Sequence, residues 1–372
     1  MTYGSIVSDY AARMRDEWNE GSTVDISHEM MRLTLRIICK SVLNYDVESE
    51  AQQVGKALTT VRKYSKRLQS PIGQVLDKIS ILPAPKKARE AKNELDSLVY
   101  GLISDRRKQE ESGSNKRHND LLTRLLEANP GQVTSEDATS MSTSTSTSTS
   151  TSTSRSTDEK MSDKQVRDEV MTIFIAGHET TANALTWTFY LLSQHRDIEK
   201  KLQDEIDSVL GRRTGNNVES KIPSVEDIPK LQYNEKVLRE SMRLFPPVWT
   251  MGRYVENDYP VGGFTIPAGS SVLMSQYVMH HDKRYYENSE EFNPGRWTNE
   301  FKTHLPGFSY FPFGGGIRGC IGEPFAWMEG ILIIATIAQK WTMNLAKDQR
   351  IKLDPAITLR PKYGMKMKLK IR

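Results

Sequence analysis

One short segment, residues 313–322, constrains what this chain can fold into more than any other. It reads FGGGIRGCIG and places Cys320 among five glycines, with an arginine two residues before it. Glycine lacks a Cβ, so its backbone adopts left-handed conformations and approaches a ligand closely. The arginine offers a fork of donors for a carboxylate. We call this segment the cysteine loop and predict that it presents one sulfur atom to a flat, bulky partner.

A thiolate presented in this way can ligate haem iron through one open axial face. The alternative interpretation is a glycine-rich turn around a buried free cysteine, which is the common state of an isolated cysteine in a protein. The pattern Phe-x-x-Gly-x-Arg-x-Cys-x-Gly resembles that of the cytochrome P450 family, and the loop matches it at Phe313, Gly316, Arg318, Cys320 and Gly322. The resemblance implies that Cys320 ligates the iron of haem b and that Phe313 packs beside the sulfur.

A second motif, AGHETT, lies within a long apolar stretch that is predicted to be a central helix. A glycine inside a helix costs about 1 kcal/mol relative to alanine, and threonine hydroxyls can bond back to carbonyls four residues earlier and bend the helix. In isolation the motif fits a helix kink with a buried acid. The resemblance implies instead that Ala176 and Gly177 flank a dioxygen pocket, and that Glu179 and Thr180 are catalytic residues that relay protons.

Three charged residues are predicted to form a structural cluster and not a catalytic one. Glu240 and Arg243 lie three residues apart, so they are neighbours on one face of a helix. Such a pair is usually an exposed salt bridge of small energy. The resemblance implies instead that the pair is the family's Glu-x-x-Arg motif and that Arg296 is its third partner, with all three buried and joined by forked hydrogen bonds.

Two further arginines, Arg253 and Arg318, stand where the resemblance places contacts to the haem propionates. A charge-assisted hydrogen bond suits an anion in a partly dry site. His280 is a weaker candidate for the same role, because a lone histidine is more often a structural hydrogen-bond donor.

Apolar residues recur at helical spacing over most of the chain. Pro83 and Pro85 interrupt the pattern, and the polar run 109–119 is predicted to be a loop. After the Pro-Pro pair at 246–247, short β-rich runs alternate with turns. The predicted helices cover residues 6–18, 27–43, 54–68, 88–108, 121–126, 163–195, 198–210, 231–244 and 324–340, and a strand-like alternation covers 357–371. The chain is expected to be mainly α with a small β portion, which the resemblance identifies as the cytochrome P450 fold.

Residues 140–157 are nearly pure alternating serine and threonine. Such a tract has no apolar side chains to bury, so it is predicted to be a disordered loop within one domain that covers residues 1–372. That domain is expected to be a partial P450 domain, truncated at its N-terminus, because no Trp-x-x-x-Arg helix and no first β-sheet precede Tyr10. The missing portion predicts weak haem retention by this chain.

The composition, with 26% charged and 37% hydrophobic residues, is typical of a globular protein. The formal charge of +4 is mild and does not favour nucleic-acid binding, although a basic face could dock an acidic electron-transfer partner. Cys39 and Cys320 are the only cysteines and lie in unlike surroundings, which argues against disulfides and a zinc cluster. The expected location is intracellular, either cytoplasmic or membrane-associated through an anchor in the missing N-terminal portion.

These features predict a haem-thiolate monooxygenase that inserts one oxygen atom of O₂ into a hydrophobic organic substrate. No flavin or iron–sulfur segment follows Arg372, so the electrons are expected from a separate NAD(P)H-dependent reductase or ferredoxin. Two alternatives stay open. One is a haem-thiolate isomerase or dehydratase that acts on peroxides without O₂ and has no need of a proton relay. The other is a truncated remnant that holds no haem.

Overall fold

The structure is a computed structural model of the chain. It describes residues 2–46, 51–68, 83–112, 120–128, 160–214, 217–218 and 220–372. The serine/threonine tract at 140–157, and residues 113–119 of the predicted polar loop, lie outside the described residues.

Helices dominate the described part of the chain, as the sequence predicted. They are α1 (Tyr3–Glu17), α2 (Ile26–Leu43), α3 (Ala51–Leu68), α4 (Pro83–Glu111), α5 (Leu121–Glu127), α6 (Asp163–Gln194), α7 (Arg196–Leu210), α8 (Gln232–Leu244), α9 (Gln276–His280), α10 (Asn299–His304) and α11 (Glu323–Ala338). Short 3₁₀ turns cover Val225–Lys230, Pro294–Arg296 and Gly316–Arg318. Within the described ranges, no helix is both long and apolar enough to cross a membrane.

The prediction that Pro83 and Pro85 precede the fourth helix was wrong, because α4 begins at Pro83 itself and continues to Glu111. Proline is tolerated in the first turn of a helix, where an N–H would have no intrahelical acceptor. The two prolines therefore start the helix instead of interrupting it. Asp120 caps α5, since its carboxylate accepts a hydrogen bond from the N–H of Thr123 at 2.9 Å.

The β portion is small and antiparallel. Its strands are β1 (Thr23–Asp25), β2 (Arg213–Thr214), β3 (Asn217–Val218), β4 (Met251–Tyr254), β5 (Tyr259–Val261), β6 (Phe264–Ile266), β7 (Ser271–Met274), β8 (Trp341–Leu345), β9 (Leu353–Pro355), β10 (Leu359–Pro361) and β11 (Lys366–Ile371). One sheet has the order β1-β11-β8, and the remaining strands form the pairs β2-β3, β4-β7, β5-β6 and β9-β10. The alternation predicted over 357–371 is divided between β10 and β11.

Two helices form the centre of the core, and each is associated with one of the motifs. α6 packs against α2, α4, α5, α7, α8 and α11, and its residues 181–189 are all buried. α11 is buried from Glu329 to Ala338. A helix that is apolar on nearly every side belongs in the interior of a large domain. The AGHETT motif is therefore part of the central helix, and the cysteine loop leads directly into a second buried helix.

Candidate functional site

The cysteine loop turns on two glycines and exposes its sulfur. Gly314 and Gly316 have φ angles of +74° and +66°, in the left-handed region that glycine adopts without strain. The N–H of Cys320 donates to the carbonyl of Phe313 at 2.9 Å and closes the loop. Cys320 itself is a free, exposed cysteine. The alternative of a buried cysteine is wrong, and the thiol is accessible to a ligand.

The surface beside Cys320 is apolar. Ile317 and Ile321 are 97% and 89% exposed. These two side chains offer apolar contact area on either side of the thiol. Phe313 is half-buried, and its ring centroid lies 5.7 Å from that of Trp327 on α11. The structure thus gives Phe313 a packing contact that holds the loop on α11, and its predicted place beside the sulfur stays a prediction.

The two predicted propionate ligands are exposed guanidinium groups. Arg318 belongs to the cysteine loop, and Arg253 belongs to β4. The strand and the loop touch, because a Cβ on Gly314 would lie 3.2 Å from the methyl group of Met251 on β4. A thiol, two guanidinium groups and an apolar surface supply an axial ligand, counter-ions for carboxylates and contact area for a flat ring. The residues therefore fit a haem.

The AGHETT motif lies where α6 reaches the surface. Ile175 is 45% exposed and Ala176 is exposed beside it. The hydroxyl of Thr180 donates to the carbonyl of Ala176 at 2.7 Å, so the predicted bond back along the helix is present. The helix itself continues without a break from Asp163 to Gln194. The bond from Thr180 is therefore present, but it does not interrupt α6.

The absence of a side chain at Gly177 is explained by packing, which the sequence did not indicate. A Cβ at this position would lie 2.9 Å from Cδ1 of Ile38 on α2, which is closer than carbon atoms pack. The glycine therefore lets α2 approach the central helix. This contact explains why residue 177 is small, and the predicted role of Gly177 beside a dioxygen pocket stays a prediction.

Glu179 has partners that the sequence analysis missed. It is 9% exposed, and its Oε1 accepts a hydrogen bond of 2.6 Å from the hydroxyl of Thr358. The amide of Asn183 donates to the same hydroxyl at 3.1 Å. Thr358 lies in the turn between β9 and β10, where no periodic pattern marks it. Asn183 could have been found, because it stands one helical turn after Glu179 in an apolar stretch.

The predicted structural cluster is confirmed. Glu240 and Arg243 are both 0% exposed, and Arg243 binds the Glu240 carboxylate with two hydrogen bonds of 2.9 and 3.0 Å. Arg296 Nε donates to the same carboxylate at 2.9 Å. A fourth member was missed, since the indole N–H of Trp297 donates to Glu240 at 2.8 Å. We call these four residues the Glu240 cluster.

The suggestion that His280 contacts a propionate was wrong. Its side chain is 0% exposed, and its Nε2 accepts a hydrogen bond of 3.0 Å from the N–H of Phe311. Burial, followed by the positive charge of Arg243, lowers the pKa of His280 to about 3. The ring is therefore neutral at ordinary pH and serves as an acceptor inside the core.

One buried acid was overlooked. Glu329 lies on α11, nine residues after Cys320, and is 1% exposed. Burial raises the pKa of its carboxyl to about 8, and the hydroxyl of Thr181 on α6 acts in the opposite direction. Glu329 thus connects α11, which follows the cysteine loop, to α6, which carries the AGHETT motif. Its place at the start of the apolar run of α11 was a signal that the sequence offered.

Comparison with known proteins decides what this arrangement is. A family model described as Cytochrome P450 matches residues 3–369. The chain belongs to the cytochrome P450 family. It is 32% identical over 343 residues to cyclooctatin synthase from Streptomyces melanosporofaciens and 31% identical over 348 residues to cyclooctat-9-en-7-ol 5-monooxygenase from the same organism. Each alignment covers 92% of this chain.

A plant protein is similar to the same degree. Protein LUTEIN DEFICIENT 5 from Arabidopsis thaliana is 32% identical over 94% of this chain. The chain spans 67%, 66% and 55% of the length of these three relatives, respectively. Among solved structures, the heme domain of cytochrome P450DA superposes with a TM-score of 0.81 at 25% identity, and the match covers 100% of this chain and 73% of that one. The predicted P450 fold is thereby confirmed.

Proposed function

We propose that this chain carries the haem-thiolate site of a monooxygenase, which inserts one oxygen atom of O₂ into a hydrophobic organic substrate. The observation that carries the proposal is the exposed thiol of Cys320 on a loop with two left-handed glycines. Membership of the P450 family supports it, as does the similarity of the chain to two proteins named as oxygenases, cyclooctat-9-en-7-ol 5-monooxygenase and pentalenene oxygenase.

The residues of this chain would hold the cofactor, haem b, from several directions. Cys320 would ligate the iron, and Arg253 and Arg318 would each bind a propionate by charge-assisted hydrogen bonds. Phe313 would limit access of water to the sulfur. Bound haem supplies the activation of O₂, which is chemistry that no side chain can perform.

The small and polar residues of the site would come from α6. Ala176 and Gly177 would leave room for dioxygen. Glu179 and Thr180 would hold and pass protons, with Glu179 fixed by the hydroxyl of Thr358 at 2.6 Å. The Thr180 hydroxyl donates to the carbonyl of Ala176, so its oxygen has a fixed position and its lone pairs can accept hydrogen bonds.

The partners follow from this chemistry. The substrate is a hydrophobic small molecule, because exposed apolar residues such as Ile175 and Ile321 surround the two motifs. The electrons come from a separate reductase that uses NAD(P)H, or from a ferredoxin, as the resemblance implies.

The experiment is spectroscopic and uses the chain loaded with haem. After reduction and addition of CO, wild-type protein is expected to show the red-shifted Soret band of a thiolate-ligated haem. Cys320→Ser is expected to abolish that band, while Cys39→Ala is the matched control because Cys39 is buried in α2 at 0% exposure. The same band in Cys320→Ser, or its absence from wild-type protein that has taken up haem, would refute the proposed ligand.

A second experiment tests the proton-passing pair. In the presence of a reductase, Thr180→Val is expected to consume NAD(P)H while releasing more peroxide and less oxidised product. Thr172→Val is the control, since Thr172 lies two turns earlier on the exposed face of α6 and bonds back to Asp168 at 2.8 Å in the same way. Unchanged coupling of NAD(P)H use to product in Thr180→Val would contradict this role.

A further inference from the structure

His280 lies between the Glu240 cluster and the cysteine loop. It is the final residue of α9 and is 0% exposed. Its ring stacks on Tyr310, with the centroids 5.0 Å apart, and meets Phe311 edge-on at 5.5 Å. These contacts place the imidazole against the segment that leads into Phe313 and the loop.

The backbone carbonyl of His280 and its ring each form a hydrogen bond with a different part of the fold. Its backbone carbonyl accepts from Nη1 of Arg243 at 2.8 Å. Its ring Nε2 accepts from the N–H of Phe311 at 3.0 Å. One residue therefore contacts a member of the Glu240 cluster through its backbone and the approach to the loop through its side chain.

The connection continues into the loop itself. The carbonyl of Phe311 accepts from the N–H of Gly314 at 3.0 Å, and the carbonyl of Phe313 accepts from the N–H of Cys320 at 2.9 Å. The sequence of contacts thus runs from Arg243 to His280, then to Phe311, Gly314 and the backbone that carries the thiol. Buried backbone donors are rarely left unpaired, because the loss of a partner is costly.

The chemistry of the ring suits this role. A neutral imidazole has one donor and one acceptor nitrogen. Since Nε2 accepts, the single proton of the neutral ring belongs on Nδ1. Leucine fills a similar volume but offers no acceptor. Glutamine places an oxygen near the position of Nε2, whereas the shorter asparagine does not reach it.

We propose that His280 is the positioning residue that fixes the cysteine loop relative to the Glu240 cluster, through its Nε2 and the N–H of Phe311. This inference rests on the proposed function for its consequence, the placement of an iron ligand. Its physical content, a held loop, does not depend on haem.

The test compares His280→Gln, His280→Leu and His280→Asn in the full chain without haem. Amide hydrogen exchange is measured for the segment 306–316, together with the rate at which a maleimide labels Cys320 in a Cys39→Ala background. We expect exchange in this segment to rise on the order of tenfold or more in His280→Leu and His280→Asn, since the half-buried amide of Phe311 loses its acceptor. His280→Gln is expected to stay within about threefold of the parent for the same reason.

The neighbouring histidine provides the matched control. None of the described contacts joins His281 to Phe311: its Nδ1 lies 2.7 Å from the carbonyl of Tyr277, its ring lies against that of Tyr277, and its Nε2 lies 3.9 Å from the carboxylate of Glu290. His281→Leu should leave exchange at 306–316 unchanged. Equal exchange in His280→Leu and His281→Leu, or a failure of His280→Gln to restore protection that His280→Asn loses, would overturn the proposal. If His280→Leu does not fold, the Gln and Asn pair decides.

Haem-loaded samples separate this inference from the proposed function. We expect the thiolate Soret band of the CO complex to be retained in His280→Gln and to be replaced partly by a band of protonated or displaced cysteine in His280→Asn. A wild-type chain that lacks the thiolate band refutes the ligand assignment. The exchange data still decide whether His280 holds the loop.

Discussion

The Glu240 cluster and the cysteine loop both contain an arginine, and the two arginines have opposite surroundings. Arg243 is 0% exposed, and its guanidinium makes five hydrogen bonds, to Glu240 and to three backbone carbonyls. A guanidinium has five N–H donors, so every one is used. Arg318 is exposed on a loop of glycines. A buried charge with all its donors satisfied fixes backbone segments in place, whereas an exposed one is available to an anion.

The same contrast holds for the two cysteines. Cys39 is 0% exposed, and burial raises the pKa of its thiol, so it behaves as a small apolar side chain. The side chain of Cys320 is exposed, and the backbone N–H of this residue donates to the carbonyl of Phe313. The stability of this molecule is therefore expected to depend on the buried members of each pair, and its chemistry on the exposed ones. Four substitutions test that separation, in order of decreasing effect.

The largest effect is expected from Glu240→Gln. This change removes the charge that pairs Arg243 and Arg296 and leaves two guanidinium groups buried with a neutral partner. Breaking a buried ion pair costs about 3–5 kcal/mol. Urea unfolding measures this loss, and Glu290→Gln, at a side chain that is 78% exposed, is the control that should change stability by less than about 0.5 kcal/mol. A loss below about 1 kcal/mol in Glu240→Gln would show that the cluster is not a scaffold.

The next effect depends on pH and concerns Glu329. Its pKa is raised from 4.5 to about 8, so the carboxyl contributes no penalty below pH 4.5, and stability is lost as the pH rises from there through 8. Glu329→Gln removes this dependence. At pH 8.5 the variant is expected to be more stable than wild type by roughly 2–4 kcal/mol, because each pKa unit corresponds to about 1.4 kcal/mol.

At pH 4.5 the two proteins should have similar free energies of unfolding. The control is Glu323→Gln, at an exposed position in the first turn of the same helix. Its difference from wild type should not grow with pH above 5. Parallel stability–pH curves for Glu329→Gln and wild type would mean that the buried carboxyl is already ionised at neutral pH.

A smaller effect is expected from Gly314→Ala in the cysteine loop. With φ at +74°, a side chain at this position costs about 1–2 kcal/mol. Gly101→Ala is the control, because Gly101 lies inside α4 with nothing within 4 Å of an added Cβ. There alanine should be neutral or stabilise by up to about 1 kcal/mol. Thermal unfolding of both variants would distinguish a strained loop from a general cost of adding a methyl group.

The smallest effect on stability is expected from Cys320→Ser. In the haem-free chain it should change the free energy of unfolding by less than about 0.5 kcal/mol, because the side chain is exposed. The identical exchange at Cys39 places a hydroxyl in the core and should cost roughly 1–3 kcal/mol. If the two substitutions lower the free energy of unfolding equally, exposure does not distinguish residues that stabilise this molecule from residues of its candidate site.

Much of the scaffold could be predicted from sequence because local spacing carries the information. The separation of Glu240 and Arg243 by three residues indicates one helix face, and the apolar runs of α6 and α11 indicate buried helices. Pro83 was misread because a proline at the start of a helix and a proline between helices look alike without the following turns.

The partners of the site residues could not be predicted in the same way. Thr358 reaches Glu179 across 179 residues of chain, and Phe311 reaches His280 across 31. Such contacts are set by how the helices and hairpins pack, and no period in either segment signals them. The family pattern singled out Cys320 and Arg318 as candidate site residues. The contacts that hold their loop in place were visible only in the structure.

The pairing of β1 with β11 has a consequence for how this chain is made. Thr23 pairs with Lys368, and the indole of Trp341 donates to the carbonyl of Arg15 across 326 residues. During synthesis, α1 and α2 therefore leave the ribosome long before the strands that complete their packing exist. Until then their apolar faces must be shielded by a chaperone or by non-native contacts. Contacts between such distant residues also make folding slow, so the core is completed only after β11 has been synthesised.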